Sequence, residues 1–275
     1  MSTLVNIELF KLRKRKISFI LLAVLIGMFC LVFFSHYYLV ESSETTYEVL
    51  AAPLQFPDAF NLIFSTAQGV GTLILVILAS FVVGEEYSQG TVRQMVARIR
   101  TRPQYLGAKT LSLLIMALII TVISLLVGVI IASFTTAKLG ELSLDFITLS
   151  LFGDIGRMFG GTALTLTVNA LLAMLFVILA KSAWAGIGAY IGYGLVEGVF
   201  TTMSASMEGG WLKSISSYMI TPNTYAFVHL EEGGLSLWFP QLYPGVLHAT
   251  MVLLCWCAFF VGASFYLFQR RDITA

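Results

Sequence analysis

Charged side chains are scarce in this chain. Asp, Glu, Lys and Arg make up 11% of its 275 residues, whereas 58% of the residues are hydrophobic. A soluble domain carries about 25% charged residues, which it needs to cover its surface, so the composition argues against a soluble fold. The net charge of +1 gives no indication of a nucleic-acid partner. Lipid is therefore the expected solvent.

Motifs for catalysis are also missing. The three cysteines, Cys30, Cys255 and Cys257, lie within apolar runs, which is typical of packing rather than of disulfides or a metal site. No G-x-x-x-x-G-K-[ST] phosphate-binding loop occurs in the sequence, so the chain is not expected to hydrolyse nucleotide itself. We therefore predict that it is not an enzyme and that it binds no cofactor or metal.

Long apolar stretches are abundant. A bilayer core about 30 Å thick takes roughly 20 helical residues to cross. Six stretches reach this length and predict an all-α membrane protein with six transmembrane helices. They lie at 17–40, 62–83, 110–134, 159–180, 183–202 and 246–268. We expect a single domain over 1–275, in which 1–16 is a cytoplasmic N-terminal helix, 17–83 and 110–202 hold the first five spans, and 84–109 and 203–245 are the main connecting segments.

Lys and Arg predict the orientation, because cytoplasmic loops carry an excess of both. With the N-terminus inside, all of the 16 basic residues except Lys138, Arg157 and Lys213 fall on the cytoplasmic side. Both ends of the chain are basic, which agrees with an even number of crossings. We expect a multi-pass protein of the plasma membrane with both termini in the cytosol.

Two connections have distinctive lengths. Lys181 and Ser182 alone separate the fourth and fifth spans, which predicts a tight helical hairpin. The outer segment 203–245 is rich in apolar and aromatic residues. Short helices that dip into the outer leaflet would explain this composition, since backbone at that depth must be covered by protein. A plain extracellular loop is the alternative.

The segment 84–109 between the second and third spans has an amphipathic pattern. Its apolar residues recur with the spacing of one helix face; they are Val92, Met95, Val96 and Ile99. Thr91 and Gln94 fit a capping box, and Pro103 cannot continue a helix. We predict a short amphipathic helix along the cytoplasmic face.

Two interpretations of this amphipathic helix have equal weight from the residues alone. It either lies in the headgroup region with its arginines on phosphates, or it docks onto a soluble partner, with Glu85 and Glu86 as further contacts. The five cations between Lys11 and Lys16 suggest that the N-terminal helix is anchored to anionic headgroups.

Polar and small residues inside spans are candidates for function or packing. Glu197 faces a substrate path or a subunit interface, or else extends outward to water. For Asn169 we favour a hydrogen bond to a neighbouring helix over a position on the path. Gly188-x-x-x-Gly192 and Gly194-x-x-x-Gly198 predict close packing against a helix of the same chain or of a partner.

Three short motifs resemble the permease subunits of ABC-2 type exporters. They are Gly84-Glu85-Glu86 with Gly90-Thr91 and Lys109, the N-terminal Glu8-Leu9-Phe10-Lys11-Leu12-Arg13-Lys14, and the C-terminal Phe268-Gln269-Arg270-Arg271-Asp272-Ile273. The resemblance implies that 84–109 contains a coupling helix that seats on a separate ABC ATPase subunit, which binds ATP and magnesium. The implied docking residues are Glu85, Glu86, Gly90, Thr91, Arg93, Met95 and Arg98.

The same resemblance implies a permease that works as a pair, with a second copy or a homologue, in a bacterial plasma membrane. Its apolar spans favour an amphiphilic cargo such as a peptide antibiotic, a lipid-like molecule or a drug. A non-transporting receptor or scaffold is the alternative function. A membrane-embedded enzyme is disfavoured by the missing motifs, and an ion-driven transporter by the scarcity of midplane polar residues.

Overall fold

The computed structural model describes residues 2–42, 50–90, 102–140, 147–206, 211–228 and 244–270. The regular elements in these ranges are helical, as the sequence predicts. In chain order they are α1 (Ser2–Lys14), α2 (Lys16–Ser42), α3 (Ala59–Ser88), α4 (Arg102–Leu139), α5 (Leu149–Ala180), α6 (Ala183–Ser206), α7 (Trp211–Ser216), α8 (Ile220–Tyr225) and α9 (Val246–Arg270). A 3₁₀ turn, Ala52–Leu54, precedes α3.

Helices α3 and α5 form the centre of the bundle. Both are mostly buried inside the chain, whereas α2, α4 and α9 expose most of their apolar length. On α2, for example, Leu25, Phe29 and Phe33 recur every fourth residue on the buried face, while Leu31 and Phe34 are exposed. Apolar surface on this scale is rare in soluble monomers. It indicates a multi-pass membrane protein with lipid around the outer helices.

Among the described residues, five helices are long and apolar enough to cross a membrane, namely α2, α3, α4, α5 and α9. Helix α6 has 24 residues, a sufficient length, but its glycines, tyrosines and Glu197 lower its hydropathy below that of the other five. The helices also run past the predicted spans. Helix α4 begins at Arg102 rather than 110, and α5 begins at Leu149 rather than 159, because a helix need not end where the apolar run ends.

Different sets of helices meet at the two ends of the bundle. At one end, which we call the basic end, α1 meets the last turns of α3 and the first turns of α4. The final turns of α9 reach the same end, where Phe268 stacks on Tyr105. At the opposite end, Thr135 of α4 donates to the carbonyl of Leu54 at 2.9 Å. The first described helix and the last turns of the last described helix therefore lie at the same end of the bundle.

The hairpin predicted at Lys181 and Ser182 is confirmed. Helix α5 ends at Ala180 and α6 begins at Ala183. Lys181 adopts a left-handed backbone conformation, with φ of 55°, and its N–H donates to the carbonyl of Val177 at 2.7 Å. This left-handed residue ends α5 and reverses the chain direction.

Short helices also form in the predicted outer segment. Helices α7 and α8 contain six residues each, and α8 packs on α5, α6 and α9. The segment therefore contains short helices that pack on the bundle, whereas their position in the outer leaflet stays a prediction. Residues 229–243 of the same segment lie outside the described ranges.

Candidate docking site

The basic end holds the two stems of the predicted docking segment. Helix α3 ends at Ser88 and is followed by Gly90, which has a φ of 63°. Helix α4 starts at Arg102 and carries Pro103 in its first turn, where proline costs little because that N–H has no helical partner. Four docking residues, Thr91, Arg93, Met95 and Arg98, lie outside the described residues. The amphipathic helix therefore stays a prediction.

Gly84 allows α3 to approach the start of α6 closely. A Cβ built at Gly84 would lie 2.5 Å from the Cα of Ala183, a separation that real Cβ atoms do not show. Any larger residue would thus push α6 away from α3. The glycine of the Gly84-Glu85-Glu86 motif has a packing role, and it fixes where the following two carboxylates emerge.

Glu86 points into the protein rather than into solvent, with only 5% of the residue exposed. Its Oε1 accepts from Lys109 at 3.0 Å and from Lys11 at 3.2 Å. Its Oε2 accepts from the hydroxyl of Tyr105. Glu86 is two residues from the end of α3, and Tyr105 is in the first turn of α4, so this carboxylate joins both stems of the docking segment.

Lys109 is fully buried, and its ammonium group has an acceptor for each of its three protons. The partners are the carbonyl of Val82 at 2.9 Å, Glu86 at 3.0 Å and Glu8 at 3.3 Å. A buried cation is tolerated only when it is paired and hydrogen-bonded. Lys109 meets that condition by contacting α1 and α3 from α4.

Glu8 and Lys11 of α1 complete the arrangement. They contact each other at 2.8 Å, and each also contacts a charge on another helix. Glu8, Lys11, Glu86 and Lys109 therefore form a closed cycle of alternating sign, which we call the charge ring. Partial burial on its own lowers the pKa of Lys11, but the hydrogen bond and charge of Glu8, with the charge of Glu86, raise that pKa overall.

Two further contacts extend from the charge ring. Arg15, between α1 and α2, pairs with Glu85 at 2.7 Å. The ring of Tyr105 stacks on Phe268 of α9, with centroids 5.5 Å apart and planes inclined by 18°. Of the predicted docking residues, Glu86 contacts α1, Glu85 contacts Arg15 just after α1, and Gly90 lies two residues beyond the end of α3.

Sequence reasoning did not identify the charge ring. The sequence patterns identify Glu8, Lys11 and Lys109 only as parts of motifs or as basic residues, and they indicate no role for Tyr105. One signal was present, because Glu8 and Lys11 are three residues apart and Tyr105 and Lys109 are four apart, spacings that place side chains on one helix face. That these faces meet depends on tertiary packing.

At the opposite end, Glu197 of α6 is 3% exposed, so it does not extend outward to water. Its carboxylate accepts from the backbone N–H of Thr221 at 2.8 Å. Asn223 donates to the carbonyls of Ser217 and Met219 at 2.8 Å and 2.6 Å. These bonds tie α8 to α6 and to the turn before α8.

The side chain of Asn169 on α5 forms a hydrogen bond to a neighbouring helix, which is the contact favoured from the sequence. The hydroxyl of Tyr190 on α6 donates to its Oδ1 at 2.9 Å. The glycines of α6 differ among themselves. A Cβ at Gly186 would overlap Val177 of α5, whereas Gly188 and Gly192 have nothing within 4 Å of a built Cβ. Within the described residues, the face of Gly188 and Gly192 has no partner helix.

The chain was compared with known proteins. No curated protein matches it. A family model described as ABC-2 family transporter protein matches residues 4–229, which cover α1 to α8 and hence the charge ring, both stems of the docking segment and the hairpin. On this match over most of its length, the chain belongs to the ABC-2 family of transporter proteins.

Proposed function

We propose that this chain is the permease subunit of an ATP-driven exporter that crosses the membrane six times. A separate ABC ATPase subunit supplies the energy and carries ATP and magnesium. The cargo is an amphiphilic molecule, such as a peptide antibiotic, a lipid-like molecule or a drug. The observation that carries the proposal is the family match over 4–229.

The basic end supports cytosolic docking. It gathers α1, the α5–α6 hairpin, the C-terminal turns of α9 and both stems of the docking segment. An excess of Lys and Arg favours the cytosolic side, and Lys11, Arg15 and Lys109 all lie here. On this orientation α6 also crosses the membrane, which makes six crossing helices among the described residues, and the two stems at Gly90 and Arg102 end on the cytosolic side, where an ATPase subunit can dock.

Helix α6 supplies the proposed contact with a second permease copy or a homologue. Gly188 and Gly192 lie on a face without an intrachain neighbour, and Leu195 and Val196 beside them are exposed. Small residues on membrane helices let two backbones approach closely. A pair of permeases joined along α6 would enclose the transport path between them.

ATP would drive transport by binding two conformations of the complex unequally, since a ligand with equal affinity for both shifts nothing. In the proposed cycle, ATP closes the two ATPase subunits on each other and moves the docking segments. The stems at Glu86 and Tyr105 then carry this movement into α3 and α4, and the path opens outward.

Co-purification from the native membrane tests the docking role. A tagged wild-type chain is expected to retain an ATP-binding subunit. Met95→Pro, which breaks the predicted helix, and Arg98→Glu are expected to lose it. Arg157→Glu, a matched charge reversal on α5, is the control that should retain it. Charge reversal at Glu86 is also expected to uncouple ATP hydrolysis from transport, but it disrupts the buried charge ring as well and is therefore the less specific variant.

Retention of the ATPase subunit by both docking variants would refute the docking role. If the wild-type chain retained no ATP-binding subunit, the chain would instead fit a non-transporting receptor or scaffold, with its basic segment on lipid headgroups. For the arrangement with two identical copies, a disulfide between copies carrying Gly192→Cys is expected, and its absence in membranes would refute an α6 contact between them.

A further inference from the structure

We infer that the charge ring makes the N-terminal helix α1 a moving part of the coupling machinery, with Lys109 as the positioning residue that joins it to both stems of the docking segment. The inference rests on the proposed function, because it concerns which helices move together with the docking segment. It assigns α1 a role beyond anchoring to headgroups.

The first argument is the completeness of the buried contacts. The ammonium of Lys109 directs its three protons to α1, through Glu8, and to α3, through Val82 and Glu86. It has no exposed surface, so water cannot replace a partner that moves away. Separation of α1 from α3 and α4 would break the two ion pairs between α1 and these helices and would leave one proton of this buried ammonium without an acceptor, which is unfavourable.

The second argument is the position of the ring along the chain. Glu86 and Tyr105 lie immediately before and after the 91–101 connection, and the same carboxylate contacts both Tyr105 and Lys109. A displacement of this connection therefore moves the two stems as one body. Lys11 and Glu8 attach α1 to that body through two separate ion pairs, to Glu86 at 3.2 Å and to Lys109 at 3.3 Å.

The third argument is that net stabilisation alone does not account for such a ring. Replacing a buried ion pair by apolar residues of similar volume is often neutral or stabilising. A ring of four buried or partly buried charges that joins three helices instead fixes one geometry among them. That property is useful where helices must move together.

The test uses the full chain with its co-purified ATPase subunit in nanodiscs, with the three native cysteines replaced by serine. One spin label is placed at Asn6 on α1 or at Gln89 beyond α3, both exposed, and the reference label at exposed Leu149. Distances are measured with and without ATP and vanadate. In the unmodified ring, ATP is expected to change both the Asn6 and the Gln89 distance.

The decisive variant is Glu8→Gln with Lys11→Met. It removes both α1 charges and leaves the Glu86–Lys109 pair and Tyr105 in place, so the stems stay joined. The expected result is that the Gln89 distance still changes with ATP and the Asn6 distance does not. The matched control, Asp154→Asn with Arg157→Met, neutralises an ion pair within α5 and should preserve both changes.

Persistence of the Asn6 change in the decisive variant would overturn the inference. So would a wild-type complex in which Gln89 moves and Asn6 does not. Failure of the proposed function has a different signature, because then ATP would change neither distance in the wild-type complex, or no ATPase subunit would co-purify.

Discussion

Lys109→Met is expected to destabilise the protein strongly. Methionine keeps most of the apolar stem of lysine but removes the ammonium that contacts Val82, Glu8 and Glu86. Two carboxylates that are 8% and 5% exposed would then share Lys11 as their remaining ring cation. Removal of one partner from a buried charge pair costs about 3–5 kcal/mol, and we expect a loss of this size in the free energy of unfolding.

Steric trapping in bicelles measures this free energy for membrane proteins. Adding Glu86→Gln to Lys109→Met restores charge balance, because Glu8 and Lys11 then remain as a pair. The double variant should therefore lose less than the sum of the two single variants, by about 0.5–3 kcal/mol. Lys138→Met, on an exposed turn at the far end of α4, is the control and should stay within about 0.5 kcal/mol of wild type.

A loss below about 0.5 kcal/mol for Lys109→Met, equal to that of the control, would refute the reasoning. It would mean that the buried carboxylates find water or another cation when the ammonium is gone. Additive losses in the double variant would refute the direct pairing between Glu86 and Lys109.

Three further predictions concern other contacts. Gly84→Ala should lower the free energy of unfolding by about 1–3 kcal/mol, because the added Cβ overlaps Ala183. The control Gly27→Ala, where a Cβ has open space, should be neutral or stabilising by up to about 1 kcal/mol. Equal effects of the two variants would contradict the close packing at Gly84. Glu197→Ala should speed hydrogen exchange in α8 because the N–H of Thr221 loses its acceptor, and Glu197→Gln should do so less; unchanged exchange in both would contradict the contact. The pKa of Lys11 is raised in the folded protein, so the charge of Lys11 stabilises the fold fully below about pH 10.4, and this stabilisation is lost as the pH rises through the folded-state pKa. The difference in melting temperature between wild type and Lys11→Met should therefore shrink only above about pH 10.4. A difference that already disappears near neutral pH would contradict the charge ring.

The helices were predictable because their signals are local. The apolar run that contains Leu25, Phe29 and Phe33 is long enough to cross a bilayer and therefore predicts α2. Lys181 and Ser182 predicted the hairpin because two residues between apolar runs allow no other connection. Helices α4 and α5 extend beyond the predicted spans, since hydropathy indicates where a helix leaves lipid and hydrogen bonding decides where it stops.

The charge ring was not predictable in the same way. Its members come from α1, α3 and α4, and Glu8 is far along the chain from Lys109. Whether Glu86 faces a partner or the interior depends on how α1 packs, which no local pattern encodes. The glycines of α6 show the same limit, because Gly186 packs within the chain and Gly188 does not, although both belong to one glycine-rich stretch.

Photo-crosslinking from the 91–101 connection tests the central claim most directly. Benzoylphenylalanine placed at Met95 of the full chain, in its native membrane, is expected to form an adduct with an ATP-binding subunit, and the adduct should be lost with Arg98→Glu. The same probe at Leu149, which is 90% exposed at the opposite end of the bundle, should form none. An adduct with lipid alone at Met95, or equal capture of the ATPase from both positions, would contradict the account of an ATPase-driven permease.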